Sequence, residues 1–293
     1  MNDETKGMLL GVAGVSCFGL TLPITRVFVP YMDPVFIGLG RAVLAALVGG
    51  LLLLLFKERI PAKSTWLPLV IVALGVVVGF PVLSSWGMQY VPASHGGVVL
   101  ALLPLATAVM ATFVTDEKPS PLFWVAGLLG SGFVLAYALI SGAGSFGVGD
   151  IALLAAVLSA AVGYAVGAKL SKTLGGWQVI CWALLLSLPF ITWPAINAAP
   201  ADFSSLPSDV IIGFLYLSLV SQLSGFFLWY KGLALGGVAR VSQAQLLQPI
   251  VTILASVWFV GEKLDMATVI FAGLVIATVG VSRKAKVYSV ARA

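Results

Sequence analysis

Charge is scarce in this chain. Asp, Glu, Lys and Arg together make up 9% of its 293 residues, against about 25% in an ordinary soluble domain. With 60% hydrophobic residues and a mean hydropathy of +1.09, this excludes a water-soluble globule. Long polar stretches are missing too. A membrane span takes about 20 residues, so ten would use roughly 200 and leave only short tails and loops. That excludes a membrane-tethered enzyme, a sensor with a soluble output domain and a pump carrying its own nucleotide-binding domain. His occurs once, as His95, and Cys twice, as Cys17 and Cys181. No HExxH, phosphate-binding loop or Cys/His cluster is present, so neither a metal nor a cofactor is expected, nor enzymatic activity. Both cysteines lie in apolar runs and read as small buried residues.

What is present is a series of apolar runs cut by charges and Pro/Gly turns. They predict an all-α integral membrane protein with ten spans at 7–28, 34–56, 66–87, 94–115, 121–141, 149–170, 177–196, 208–231, 238–260 and 266–283. The N-terminus is acidic before Lys6, a poor signal-peptide start, and the run behind it is full length, so it reads as a retained first span. Net charge is +5, which suits cytoplasmic anchors better than nucleic acid. With the N-terminus inside, the inner segments hold Lys6, Lys57, Arg59, Lys63, Lys118, Lys169, Lys172, Lys231, Arg240, Arg283, Lys284, Lys286 and Arg292, whereas the outer side has only Arg26 and Lys263. This asymmetry predicts both termini in the cytoplasm and an inner (plasma) membrane protein.

The chain repeats itself at an offset of about 145 residues. Pro104 and Glu117-Lys118 recur as Pro249 and Glu262-Lys263, and Gly87 recurs as Gly232. Ser16 and Arg26 find counterparts in Ser159 and Lys169. Two halves, 1–145 and 146–293, each with five spans, must enter the membrane in opposite senses because five is odd. Inverted-topology repeats are characteristic of secondary transporters, in which the halves exchange inward-open and outward-open states.

The segments Gly87–Lys118 and Gly232–Lys263, each with its central Pro and terminal Glu-Lys, together with Ser16-Cys17-Phe18-Gly19 and Arg41, resemble the double signature of the drug/metabolite transporter superfamily in its ten-helix EamA-type branch. The short loops and aromatic-rich spans look most like the bacterial aromatic amino acid exporters of the YddG type. The resemblance implies ten helices around one central cavity, walled by spans 1, 3, 4, 6, 8 and 9 with 5 and 10 at the periphery, and export of amino acids or other metabolites. One departure is that the seventh span has no basic counterpart of Arg41.

Arg41 is the one charge well inside a span, roughly 10 Å deep at 1.5 Å per residue. It reads as a contact for a substrate carboxylate, as an outer-gate lock, or as a snorkelling anchor. No Asp or Glu lies mid-span, which argues against cationic substrates and carboxylate-based proton exchange. His95, at the outer start of the fourth span, is a second candidate because it titrates near neutrality. Ser16, Tyr164, Gln222, Gln245 and Gln248, with the aromatics Phe18, Trp86, Tyr90 and Trp229, lie in the spans the resemblance assigns to the cavity. An apolar aromatic wall with sparse amides suits a bulky neutral zwitterion. The same residues also serve as packing and interhelical glue. Pro104 and Pro249 are expected to be bending points or static kinks, and Glu117 and Glu262 to pair with local Lys or helix-end donors. Gly147-Val148-Gly149-Asp150 mimics an intramembrane aspartyl protease motif but lacks a second intramembrane Asp. The expectation is a monomeric exporter of aromatic or other large neutral amino acids that works by uniport, with a small-molecule substrate and the bilayer as its partners. A nucleoside or sugar-conjugate carrier and a passive channel are the alternatives.

Overall fold

A computed structural model describes residues 2–115, 117–141, 147–283 and 287–289. Apart from one short strand pair and the turns and loops that join them, the elements are helices. We number the helices α1 (Asp3–Phe28), α2 (Phe36–Leu55), α3 (Lys63–Gly87), α4 (Ala93–Val114), α5 (Pro121–Ser141), α6 (Val148–Leu174), α7 (Gly176–Asn197), α8 (Ser208–Gly236), α9 (Val238–Val260) and α10 (Met266–Arg283). Among the described residues eight of them, α1–α4 and α6–α9, are long and apolar enough to cross a membrane. α5 and α10 are apolar as well and pack on each other at the side of the bundle. The expected boundary between halves at 145/146, and the basic residues Lys284, Lys286 and Arg292, lie outside the described residues.

Local chemistry sets the helix ends. α1 begins earlier than its apolar run because Asn2 Oδ1 accepts the Thr5 N–H at 2.9 Å, with Asp3 and Glu4 in the first turn. α6 runs on to Leu174 and stops at Gly175, whose φ of 96° suits only glycine. The strands β1 (Glu117–Pro119) and β2 (Val287–Ser289) pair antiparallel, a contact that hydropathy does not foreshadow.

Several helices depart from α geometry. Wide π turns occupy Phe36–Gly40 in α2, Ala73–Gly79 in α3, Tyr216–Ser224 in α8 and Ser256–Val260 in α9. α4 breaks at Ala101–Leu102 just before Pro104, and α9 tightens to a 3₁₀ turn over Ser242–Leu246 just before Pro249. Proline carries no N–H and its ring crowds the carbonyl four residues back, so the irregularity falls on its N-terminal side.

Helices α4 and α9 lie side by side and antiparallel, pinned at both ends by carboxylates. Glu117, just past α4, accepts the Val238 and Ala239 N–H groups at 2.9 and 2.8 Å, the free donors at the start of α9. Glu262, just past α9, accepts those of Ala93 and Ser94 at 2.7 and 3.0 Å, at the start of α4. Helix-end donors, not the neighbouring lysines, are therefore the partners of both residues.

Candidate functional site

The polar centre of the bundle is a small cavity among α1, α2, α3, α6, α8 and α9. Its walls are Phe18 and Thr21 of α1, Arg41 of α2, Val76 and Phe80 of α3, Tyr164 of α6, Ser221, Gln222 and Phe226 of α8, and Gln248 of α9. The π turns deliver several of these groups. Arg41 follows one directly, Val76 lies within the second, and Ser221 and Gln222 lie within the third. A wide turn leaves a carbonyl without its usual partner, and Gln222 Nε2 donates to Val76 O at 3.0 Å. Thr21 Oγ1 and Ser221 Oγ are 2.8 Å apart.

One face of the cavity is aromatic. Phe18 packs on Phe226 and Trp229 with ring centroids 5.0 and 6.3 Å apart, and Tyr164 on Phe226 and Trp229 at 5.9 and 5.4 Å. The opposite character comes from Arg41, which is 1% exposed. Its Nε and Nη1 have no hydrogen-bond partner among the described residues, nor has Gln248 Oε1. Buried polar atoms are ordinarily paired, so Arg41 and Gln248 keep unused hydrogen-bonding capacity at this cavity. None of the wall residues is acidic. The free volume is about 10 Å³, little more than the centre of one water needs, whereas pockets for organic ligands run to roughly 300–1,000 Å³.

The sequence-predicted residues divide into three groups. Phe18, Arg41, Tyr164, Gln222 and Gln248 meet at the cavity. Trp229 and Gln245 are buried, with the Trp229 indole N–H and both Gln245 amide atoms unpartnered among the described residues. Ser16, Trp86, Tyr90 and His95 lie apart from the cavity. Ser16 faces outward with its hydroxyl on Val12 O at 2.9 Å. Trp86 and Tyr90 are 40% and 56% exposed and pack edge to face on each other, and Trp86 lines a surface groove with Asp33 and Gln89. Of the walls the resemblance implied, α4 supplies no side chain to this cavity, whereas α2, which the resemblance did not assign to it, does so through Arg41.

His95 joins a second buried group. Its Nε2 is 2.6 Å from Asp150 Oδ1, and Asp150 Oδ2 accepts the Gly147 N–H at 3.0 Å. The imidazole stacks on Tyr137, whose hydroxyl reaches Thr268 at 2.8 Å. Thr268 in turn donates through its N–H and its hydroxyl to Asp265, which holds that loop carboxyl below the ordinary carboxylate range. Asp150 thus lies at a helix start, as read from the sequence, but buried against the histidine. Among the described residues no group of three or more His, Cys, Asp or Glu could hold a metal.

The residues that sequence reasoning missed are Thr21, Val76, Phe80, Ser221 and Phe226. Thr21 is three residues from Phe18 and Phe226 four from Gln222, so helical periodicity from those two would have found them. Val76 enters through a π turn, which no pattern in the sequence announces.

Comparisons with known proteins agree on the class. The sequence profile of the EamA-like transporter family matches residues 5–140 and again 147–283. The uncharacterized transporter YdeK of Bacillus subtilis (strain 168) is 43% identical over 97% of this chain and 99% of its own length. A probable terminal-alkyne amino-acid exporter of Streptantibioticus cattleyicolor is 24% identical over 61% of this chain and 60% of its own. One solved crystal structure superposes on 95% of this chain and 98% of its own with a TM-score of 0.71 at 17% identity, a likeness of fold.

Proposed function

The chain belongs to the EamA-like transporter family, and from that premise we propose that this membrane transporter exports amino acids with large neutral side chains, aromatic ones foremost, by alternating access. The observation that carries the substrate class is the Arg41 guanidinium, buried on the cavity wall with Nε and Nη1 unpartnered and facing an aromatic cluster. A guanidinium edge binds a carboxylate in bidentate fashion. Gln248 Oε1 is an acceptor for the ammonium group, and Phe18, Phe80, Tyr164 and Phe226 take the side chain. A wall without carboxylates disfavours cations. The name of the Streptantibioticus relative, an amino-acid exporter, points the same way.

In this reading α5 and α10 complete ten spans, and residues 1–145 and 146–293 are two inverted five-helix repeats in a bacterial inner membrane, with both termini cytoplasmic and one cavity per monomer. Three observations support the inversion: the profile matches twice, Glu117 and Glu262 cap each other's partner helices, and α1 packs on α8 as α6 packs on α3. The cavity is too small for an amino acid, so its walls separate during the cycle, and the irregular turns before Pro104 and Pro249 are where α4 and α9 bend. Net flow follows the substrate's own gradient.

The test is counterflow. Proteoliposomes loaded with unlabelled phenylalanine are placed in tracer phenylalanine with no ion gradient imposed. Transient tracer accumulation in wild type, lost in Arg41→Ala, is the expected result. Absence of accumulation with phenylalanine, tryptophan and threonine, in folded protein, would overturn the amino acid reading and redirect the search to nucleosides and sugar conjugates. Equilibration without overshoot would indicate a channel.

A further inference from the structure

Another concavity, sharing no lining residue with the central cavity, lies between α3 and α7 beside the loop 57–62. It is a groove of about 250 Å³ and almost wholly apolar, lined by Ile60 and Pro61 of the loop, Trp66 and Leu69 of α3, and Trp182, Leu185 and Leu186 of α7. Its α7 wall, from Trp182 to Leu186, runs about 6 Å along the helix.

The loop over its mouth is fixed on both sides. Phe56 packs edge-on against Trp177 with ring centroids 5.5 Å apart, and Glu58 Oε1 accepts Gln178 Nε2 at 3.1 Å, which tie the loop to the first turn of α7. The Trp66 indole N–H donates to Pro61 O at 3.1 Å, which ties it to α3. The loop's carboxylate is thereby engaged, while Lys57 and Arg59 in the loop and Lys63 just after it are all exposed. An apolar slot bordered by a fixed loop with three exposed cations in and beside it is complementary to a molecule with an anionic head and a hydrocarbon tail.

We propose that this groove is a binding site for a phospholipid with an anionic headgroup, its acyl chain between α3 and α7 and its phosphate on Arg59 and Lys63. The orientation proposed above enters only in naming the leaflet as cytoplasmic, and binding in detergent does not depend on it. A resident lipid would wedge α3, which carries Val76 and Phe80 of the central cavity, against α7.

Native mass spectrometry of the full-length protein in detergent, titrated with palmitoyl-oleoyl phosphatidylglycerol or the matching phosphatidylcholine, tests this. The expected result is one phosphatidylglycerol retained in preference to phosphatidylcholine. Arg59→Gln and Lys63→Gln should each weaken retention about fivefold. Leu186→Trp, which fills the groove, should abolish it, whereas Leu128→Trp on the exposed face of α5 should not. Equal retention of both lipids, or preference that survives Leu186→Trp, would overturn the site. Displacement of the lipid by soluble glycerol phosphate would show an anion site without a tail and overturn it as well. Thermal melts confirm that each variant is folded, and counterflow measured on the same proteins reports separately on the transport reading.

Discussion

Gly75 and Gly163 meet backbone to backbone: a Cβ built on Gly75 would stand 2.9 Å from the Gly163 Cα and 2.7 Å from the Ser159 carbonyl oxygen. Ser159 Oγ donates to Gly75 O at 2.9 Å across the same crossing. The contacting atoms are main chain and cannot rotate away, so even a methyl group must push α3 from α6. Gly75→Ala is expected to destabilise by about 1–3 kcal/mol and to lower the melting temperature in detergent. Gly132→Ala, where nothing lies within 4 Å, serves as the control and should be neutral or slightly stabilising, since alanine is the better helix former.

That crossing shows how far the sequence speaks and where it falls silent. Gly75-x-x-x-Gly79 and Gly163-x-x-x-Gly167 are visible as close-packing motifs, but partners 88 positions apart carry no local signal of each other. The same division runs through the site. Helix positions follow from hydropathy because the bilayer demands a length, and Arg41 stands out because charge is costly there. Trp86 and Tyr90 belong with the cavity only by their span, yet α3 presents Trp86 outward and Tyr90 lies in the turn beyond its end, neither of which a strongly apolar run encodes. The His95–Asp150 pair escaped notice because a helix-start carboxylate ordinarily looks to its own N–H groups. The π turns that present Arg41, Val76 and Gln222 depend on tertiary packing and leave no trace in composition.

Glu117 and Glu262 should prove equivalent and independent. Each accepts two backbone N–H bonds at a helix N-terminus, an arrangement worth about 1–2 kcal/mol. They sit at opposite ends of the α4–α9 pair, so Glu117→Ala and Glu262→Ala should lower stability by similar amounts that add in the double variant. Melting curves of the four proteins measure this. A loss for one and not the other would remove a support of the inverted-repeat reading.

The His95–Asp150 bond is buried on both sides, with side chains 6% and 4% exposed. Removing one partner leaves the other without its hydrogen bond in an apolar setting, so His95→Ala and Asp150→Ala should each destabilise by about 3 kcal/mol. The double variant should cost far less than the sum, giving a coupling energy of at least 1 kcal/mol. Additive losses would mean that the two residues do not share the bond. Because the pair lies off the cavity wall, counterflow per folded molecule should survive in the variants.

Asp265 offers a pH-dependent test at the start of α10. The Thr268 hydroxyl and N–H hold its carboxyl below the ordinary range. A depressed folded-state pKa contributes stability above the unfolded-state value, which is lost as pH falls through the folded one. Asp265→Asn should therefore melt below wild type at pH 6, and the gap should close on acidification as the wild-type carboxyl itself becomes neutral. Asp265 is largely exposed, so the gap is small. Melts at matched ionic strength from pH 6 downward follow it, and a gap that persists at the acid end would trace the loss to packing instead of charge.

Arg41 sets function against stability. A buried guanidinium with Nε and Nη1 unpartnered is an expense to the fold, since a charge taken out of water is repaid only by partners. If its partner is a substrate carboxylate, replacing it with a flexible apolar side chain of similar reach should stabilise the protein while ending transport. Arg41→Met is expected to melt at or above the wild-type temperature and to show no counterflow. Arg41→Lys keeps the charge but not the two-pronged edge, so it should retain transport only at a raised substrate concentration. Phenylalanine should raise the melting temperature of wild type by the mass-action relation for a ligand that binds the folded state, and should leave Arg41→Met unmoved. A structural anchor predicts the reverse order: Arg41→Met unstable, and transport falling only as far as the folded fraction falls.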